Sequence, residues 1–255
     1  MENKNDLVSI ITPLYNGERF VSTTIDSVLA QTYSYWEMII VNDGSTDHSA
    51  EIVQSYVDKD SRIKLYTQLN AGSAAARNNG IRRAKGRYIA MLDSDDLWDA
   101  DYLQSQIDFM QSKDASVICA AYRYINEENK EILSPYIPNP IIPVKQMRIT
   151  NRVGCLTGMY DTEKLGKHFF REELRSLRDD YAFWLELAEE AGNIYGNQSV
   201  IASYRVWNSF TGNKFKLVKA QFLFYYKYQQ LGLLQSIYNL LYWGLRGIKK
   251  FYLTK

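Results

Sequence analysis

From Leu7 onward, short apolar runs rich in β-branched residues alternate with longer stretches of helical periodicity: VSIIT, EMIIV, IKLYT and RYIAML are separated by helix-like segments. Strand and helix alternating in this way predict βαβ units. Met38-Ile39-Ile40-Val41 is apolar at every position, as a strand covered on both faces must be. The chain is therefore expected to be α/β, with a doubly wound, mostly parallel sheet in its first hundred residues. Beyond Trp98 the pattern is less regular: a helix is predicted near Tyr102 to Gln111, a strand near Ser116 to Tyr122, and a Pro-rich loop from Pro135 to Pro143. That stretch carries no separate core signal. It reads as the second half of one domain over residues 1–213, divided into 1–98 and 99–213, with a tail over 214–255.

A chain of 255 residues that is 46% hydrophobic can bury a substantial core. Its two cysteines, Cys119 and Cys155, and two histidines, His48 and His168, lack the spacing of a structural zinc site and fit a reducing cytoplasm. MENKNDLVSII has no basic segment followed by a long apolar one, so no secretory signal is expected. The net charge of +1 conceals an asymmetry. Seven lysines and Arg246 give the tail +8, which leaves 22 basic against 29 acidic residues, about −7, on residues 1–213.

In open α/β sheets ligands bind beyond the carboxyl ends of the strands, and here those ends are unusual. They read Pro13-Leu14-Tyr15-Asn16-Gly17, Asn42-Asp43-Gly44-Ser45-Thr46-Asp47 and Asp93-Ser94-Asp95-Asp96. Three carboxylates within four residues repel one another unless a cation intervenes, and hard oxygen ligands suit Mg²⁺ or Mn²⁺. The same loop equally suits a turn in which Asp96 or Asp99 caps the next helix. Asp43-Gly44 also fits a plain tight turn, and Asp47 a helix cap. Asn70 to Asn78 opens a helix with Ser73 as its expected cap, where packing explains the alanines but not Arg77-Asn78; a surface salt bridge is the plain alternative for Arg77. Arg178-Asp179-Asp180-Tyr181 precedes an amphipathic helix, whose dipole alone would favour acids at that end.

Together VSIITPLYNGERF, IIVNDGSTD, NAGSAAARNNGIRRAKGRYIAMLDSDD and RDDYAFWLEL, in this order and spacing, resemble family 2 glycosyltransferases of the GT-A fold. The resemblance is dense over about residues 7–98, thinner to 213 and absent from the tail. It implies a nucleotide-sugar-binding half over 1–98 and an acceptor-side half over 99–213. It implies nucleotide contacts from Pro13, Tyr15, Asn16, Glu18, Asp43, Arg77, Asp93 and Ser94, and a Mn²⁺ or Mg²⁺ ion at Asp93 and Asp95. Asp180 takes the place of the general base, with Asp179, Thr157 and Gly158 on the acceptor side. The chemistry is consistent: Tyr15 offers a ring to a pyrimidine, Asp43 can accept from an imide N–H, and Arg77 can offset phosphate charge.

Two departures stand out. Asp179 replaces a more usual Glu, and Trp207 stands two residues after Arg205, where many relatives place a His near the metal. His168 suits a surface or hinge position better than a ligand. A Gln-x-x-Arg-Trp motif is absent, so addition of a single sugar is expected.

The activity implied is inverting, metal-dependent transfer of a hexose (glucose, galactose or an N-acetylated analogue) from a UDP-sugar to a polyprenyl-diphosphate-linked glycan. The setting would be bacterial O-antigen, capsule or teichuronic acid synthesis. The alternative is a catalytically inactive sugar-nucleotide-binding or scaffolding module, against which every expected acid is present. A nicotinamide dehydrogenase is disfavoured, since Pro-Leu-Tyr-Asn-Gly replaces the Gly-x-Gly-x-x-Gly turn.

The tail interleaves its cations with Phe222, Phe224, Tyr225, Tyr226, Tyr228, Tyr238, Tyr242, Trp243, Phe251 and Tyr252, which suits an amphipathic helix on a membrane surface. Tyr228 to Leu245 is uncharged but contains Gln229, Gln230, Gln235, Ser236 and Asn239, too polar for a spanning helix. Packing on the domain and a homodimer interface are the rival readings. No nucleic-acid motif accompanies these residues. The expected location is cytoplasmic, peripheral on the inner face of the cell membrane.

Overall fold

The computed structural model describes residues 6–174, 178–206 and 214–248. In chain order the first half runs β1 (Val8–Leu14), α1 (Val21–Leu29), β2 (Trp36–Asn42), α2 (Ser49–Val57), β3 (Ile63–Thr67), α3 (Ser73–Arg83), β4 (Tyr88–Met91) and β5 (Leu97–Trp98). The second half continues with α4 (Tyr102–Ser112), β6 (Val117–Ile125), β7 (Glu131–Tyr136), β8 (Ile141–Pro143), α5 (Val144–Met147), β9 (Met159–Asp161), α6 (Thr162–Leu165), α7 (Asp179–Ala191) and β10 (Asn193–Arg205). The tail forms α8 (Lys214–Leu223), a π-helical turn (Phe224–Tyr228) and α9 (Leu233–Ile248).

Ten strands from both halves join one sheet, ordered β3-β2-β1-β4-β9-β6-β10-β5, with β7 beside β6 and β8 beside β10. The pairs β1–β2, β2–β3, β1–β4 and β6–β10 are parallel, while β9 inserts antiparallel between β4 and β6. All of that eight-strand path except β9 and β5 therefore runs in one direction.

Side chains alternate across the sheet with the period of two that a pleated strand imposes. Val8, Ile10, Met38 and Ile40 join α1, α2 and α4 in one core, while Ile11, Ile39 and Val41 join α3 and α7 in the other. Every residue of β2 is buried, and each large apolar side chain so covered contributes about 1.5–3 kcal/mol. Close approach of α3 depends on small residues: a Cβ at Gly80 would lie 2.7 Å from Ile11 Cγ2.

Three local expectations are corrected. Pro135 to Pro143 is not a simple loop, because β7 and β8 extend the sheet there. Gly72, not Ser73, is the N-cap of α3, its φ of +94° being open to glycine. Neither Asp96 nor Asp99 caps α4, whose N-cap is Asp101.

Candidate active site

Beyond the carboxyl ends of β1, β2 and β4 lies a polar cleft of about 440 Å³, lined by Pro13, Tyr15, Asp43, Arg77, Asp93, Ser94 and Asp95 among others. Its loops are bonded to one another before any ligand arrives. Asn16 Oδ1 accepts from the Thr46 N–H at 2.8 Å, and Glu18 Oε2 accepts from the His48 N–H at 3.1 Å. Asp47 Oδ2 accepts from the Glu18 N–H at 3.1 Å, and its Oδ1 from the Ser49 N–H at 3.0 Å. Asp47 thus sits one position outside the N-cap of α2, which is His48, and ties that helix to the first loop.

Asp43, only 2% exposed, organises the entrance to α3. Its carboxylate accepts from Gln68 Nε2 (2.8 Å) and from the backbone N–H groups of Ala71 (2.9 Å) and Gly72 (2.8 Å). Three of roughly four lone-pair positions are used, and one stays available to a ligand. Tyr15, by contrast, is exposed.

The acidic loop divides its carboxylates. Asp93 Oδ1 accepts from Arg77 at 2.6 Å. Asp96 turns inward, where its Oδ1 accepts from the Arg205 N–H at 2.8 Å and its Oδ2 is buried without a partner. Burial, and then the fields of Asp95 and Asp93, push the Asp96 carboxyl well above its ordinary range. Arg205 braces the loop through Nε to the Asp95 carbonyl at 2.8 Å.

Arg77 is buried, and its charge survives burial because Asp93 and Asp179 hold it protonated. Its Nη1 lies 3.5 Å from Asp179 Oδ2, so α3 and α7 are joined through this cation. A surface salt bridge is therefore not its role. The Asp179 carboxyl is raised by burial, with Arg77 opposing. Ser73 Oγ also reaches Asp179, at 3.5 Å. The next residue looks elsewhere: Asp180 Oδ2 accepts from Asn151 Nδ2 at 3.0 Å. Arg178, which precedes both acids, is held left-handed at φ 72° and ψ 18°, a conformation costing a side-chain-bearing residue about 1–2 kcal/mol.

A second, larger cavity of about 740 Å³ lies between β6, β7, residues 150–154 and the tail. Asn151, Arg152, Arg178, Tyr136, Tyr242 and Trp243 are among its lining.

The family model for glycosyl transferase family 2 matches residues 9–170. The chain belongs to glycosyl transferase family 2. The putative teichuronic acid biosynthesis glycosyltransferase TuaG of Bacillus subtilis is 36% identical over 98% of this chain and 99% of its own length. The Escherichia coli UDP-Glc:alpha-D-GlcNAc-diphosphoundecaprenol beta-1,3-glucosyltransferase WfgD is 37% identical over 96% of this chain and 94% of its own. The crystal structure of S. aureus TarS in complex with UDP superposes with a TM-score of 0.69 at 20% identity, covering 96% of this chain and 72% of that one. The protein is a glycosyltransferase with the GT-A fold.

For this glycosyltransferase the structure gathers most of the expected residues and rearranges the rest. Pro13, Tyr15, Asp43, Arg77, Asp93, Ser94 and Asp95 share the polar cleft; Asp179 stands beside it through Arg77, whereas Asp180 bonds Asn151 of the larger cavity. Asn16 and Glu18 do not line the cleft; they bond its loops together. Thr157 and Gly158 line neither cavity. Thr157 is fully buried with its hydroxyl on the Gly154 carbonyl, and a Cβ at Gly158 would lie 2.1 Å from the Trp184 ring. Asn70, Gly72, Ser73 and Tyr204 also line the cleft and were not assigned to it from sequence; the first three lie in a motif whose packing role was plainer. His168 pairs with Glu190 at 3.0 Å. Trp207 lies outside the described residues.

Among the described residues no group of three or more His, Cys, Asp or Glu side chains is arranged to hold a metal. Asp93 and Asp95 nevertheless fit Mg²⁺ or Mn²⁺, which are commonly held by one or two carboxylates with the substrate's phosphates supplying further oxygens.

The tail docks in part on the domain. Phe224 stacks on Tyr181 at 4.4 Å, and the hydroxyls of Tyr225 and Tyr228 bond the Ile149 carbonyl and Glu186. On α9 the polar Ser236 and Asn239 are buried, whereas Leu234 (84%), Tyr238 (60%), Leu241 (63%) and Leu245 (68%) are exposed. No helix among the described residues is long and apolar enough to cross a membrane.

Proposed function

We propose that this glycosyltransferase transfers a single hexose from a UDP-sugar, with inversion, to a sugar hydroxyl of a polyprenyl-diphosphate-linked glycan. The work would take place at the inner membrane surface during bacterial surface-polysaccharide assembly. One observation carries the reading: adjacent acids at the start of α7 serve different sides, Asp179 joined to Arg77 in the cleft and Asp180 turned to Asn151. A group that must deprotonate an acceptor opposite the bond being broken belongs at such a boundary.

Tyr15 presents its exposed ring to the uracil, and the remaining lone pair of Asp43 accepts its imide N–H. Arg77 sets positive charge against the diphosphate. When bound at Asp93 and Asp95, Mg²⁺ or Mn²⁺ supplies further neutralisation of the departing diphosphate. Asp180 takes the acceptor proton, and a single displacement turns an α-linked donor into a β-linked product. The activity of WfgD, with a UDP-glucose donor and a diphosphoundecaprenol-linked acceptor, supports this substrate class at 37% identity. The exposed leucines of α9 support membrane contact, since a helix that buries its polar residues and presents apolar ones to the outside suits an acyl boundary.

Calorimetric titration of UDP with and without Mn²⁺ tests the donor site. Metal-dependent binding that Asp95→Ala abolishes is expected; equal binding by wild type and variant would remove Asp95 from the reading. Transfer from UDP-glucose to a prenyl-diphosphate-linked N-acetylglucosamine tests the acceptor.

A further inference from the structure

The 740 Å³ cavity is a separate chamber from the polar cleft; Arg178 and Tyr181, at the start of α7, line it, while Asp179 between them reaches Arg77 and Ser73 of the cleft. Asn151 lines this cavity and also donates to Asp180, so a molecule seated there lies beside the base. Its volume falls within the roughly 300–1,000 Å³ of ordinary ligand pockets.

Its polar groups ask for an anion. Arg178 makes no direct ion pair or side-chain hydrogen bond among the described residues: its Nε is buried without a partner, and Asp180 reaches it only through its field. Its guanidinium lies 5.2 Å from the Trp243 ring of α9. Gln221, a lining residue only 1% exposed, adds an amide to the wall beside Tyr225. Burying a cation away from water is costly unless an anion joins it. Arg178 is left-handed, a conformation that Gly or Asn adopts more readily than an arginine. Arg152 adds a second cation to the wall.

Its apolar groups ask for a hydrocarbon. Tyr136, Tyr242 and Trp243 form aromatic walls, and Tyr242 belongs to the same helix as the outward-facing Leu241 and Leu245. An anionic head beside the base and an apolar chain leaving along α9 describe one kind of molecule.

We propose that this cavity seats the diphosphate and first prenyl unit of the lipid-linked acceptor, with Arg178 as the main phosphate-binding cation. The inference rests on the lipid-linked acceptor proposed above and assigns its anchoring subsite.

The test is binding of farnesyl diphosphate and of farnesol to the full chain saturated with UDP and Mn²⁺, comparing wild type with Arg178→Asn and Trp243→Ala. Asn tolerates the left-handed conformation, so Arg178→Asn should keep the wild-type Tm and UDP affinity. Farnesyl diphosphate should bind wild type and lose about tenfold or more in affinity in Arg178→Asn, the scale of a lost charge-assisted hydrogen bond. Farnesol should bind more weakly, ignore Arg178→Asn and respond to Trp243→Ala. Displacement of farnesyl diphosphate by UDP, equal affinity for alcohol and diphosphate, or an unchanged affinity in Arg178→Asn would each overturn the assignment. Should wild type fail to bind UDP, the donor reading falls on its own, and farnesyl diphosphate binding without UDP still decides this one.

Discussion

Around the polar cleft the charged groups are already engaged: Asp43 holds three donors, Arg77 lies between Asp93 and Asp179, and Asn16, Glu18 and Asp47 bond one loop to the next. Around the aromatic cavity Arg178 makes no direct ion pair among the described residues, its Nε is buried without a partner, and the neighbouring α9 turns leucines outward. A cleft proposed to bind one small, highly charged ligand benefits from being organised beforehand, because little ordering remains to be done on binding. A site for a long amphiphile presented by a membrane can leave its cation and its apolar face to be satisfied by that ligand.

The sharpest way to break this comparison is at its boundary. Asp180→Asn should lower transfer by about 10³-fold while UDP affinity stays within about twofold, since a positioned base is worth roughly 10²–10⁴ in rate. A matching loss of UDP binding, read by calorimetry, would move Asp180 into the donor site. Asp43→Ala strands three N–H donors and should weaken UDP binding by about tenfold and cost about 2 kcal/mol of stability, measured by chemical denaturation. If only the affinity changes, the loop is not preorganised as described.

On the other side, Leu241→Glu should reduce partitioning onto anionic vesicles by about tenfold without lowering Tm, because the side chain is already exposed. Co-sedimentation unaffected by that change would favour protein contact over membrane.

The smallest effect lies at the far end of the sheet. Glu37 accepts from Ser9 (2.7 Å), Lys64 (2.9 Å) and the Lys85 N–H (2.7 Å). Burial works to raise its carboxyl, but these bonds outweigh it and hold the group below its ordinary 4.5. A carboxyl depressed by folding stabilises above that value, and the contribution is lost as pH falls through the folded value. Glu37→Gln should therefore cost about 1 kcal/mol at pH 7, shrinking in acid, with transfer unchanged. A Tm profile parallel to wild type from pH 3 to 7 would contradict this.

Much of the lining of the polar cleft was legible because its information is local. The strand ends, the acidic loop and the small-residue helix each occupy consecutive positions, and the parallel sheet places them on one rim whatever the details. Legibility stopped at roles that depend on distant partners. Asn16 and Glu18, expected as nucleotide contacts, also tie loops together, which the sequence did not show because their partners lie about thirty positions away at Thr46 and His48. Thr157 and Gly158 follow the same logic, fixed by Gly154 and by Trp184 of α7.

What the sequence determined by itself is the alternating pattern that makes the parallel sheet, the carboxylates at its rim and the basic aromatic tail, since periodicity and short-range hydrogen bonding are written in neighbouring residues. Only the tertiary structure decided that Asp179 faces Arg77 while Asp180 faces Asn151, that Arg178 meets Trp243 across some 65 positions, and that α9 buries Ser236 and Asn239 beneath exposed leucines. Each of those depends on which surfaces meet when distant elements pack, and no single stretch of chain encodes that.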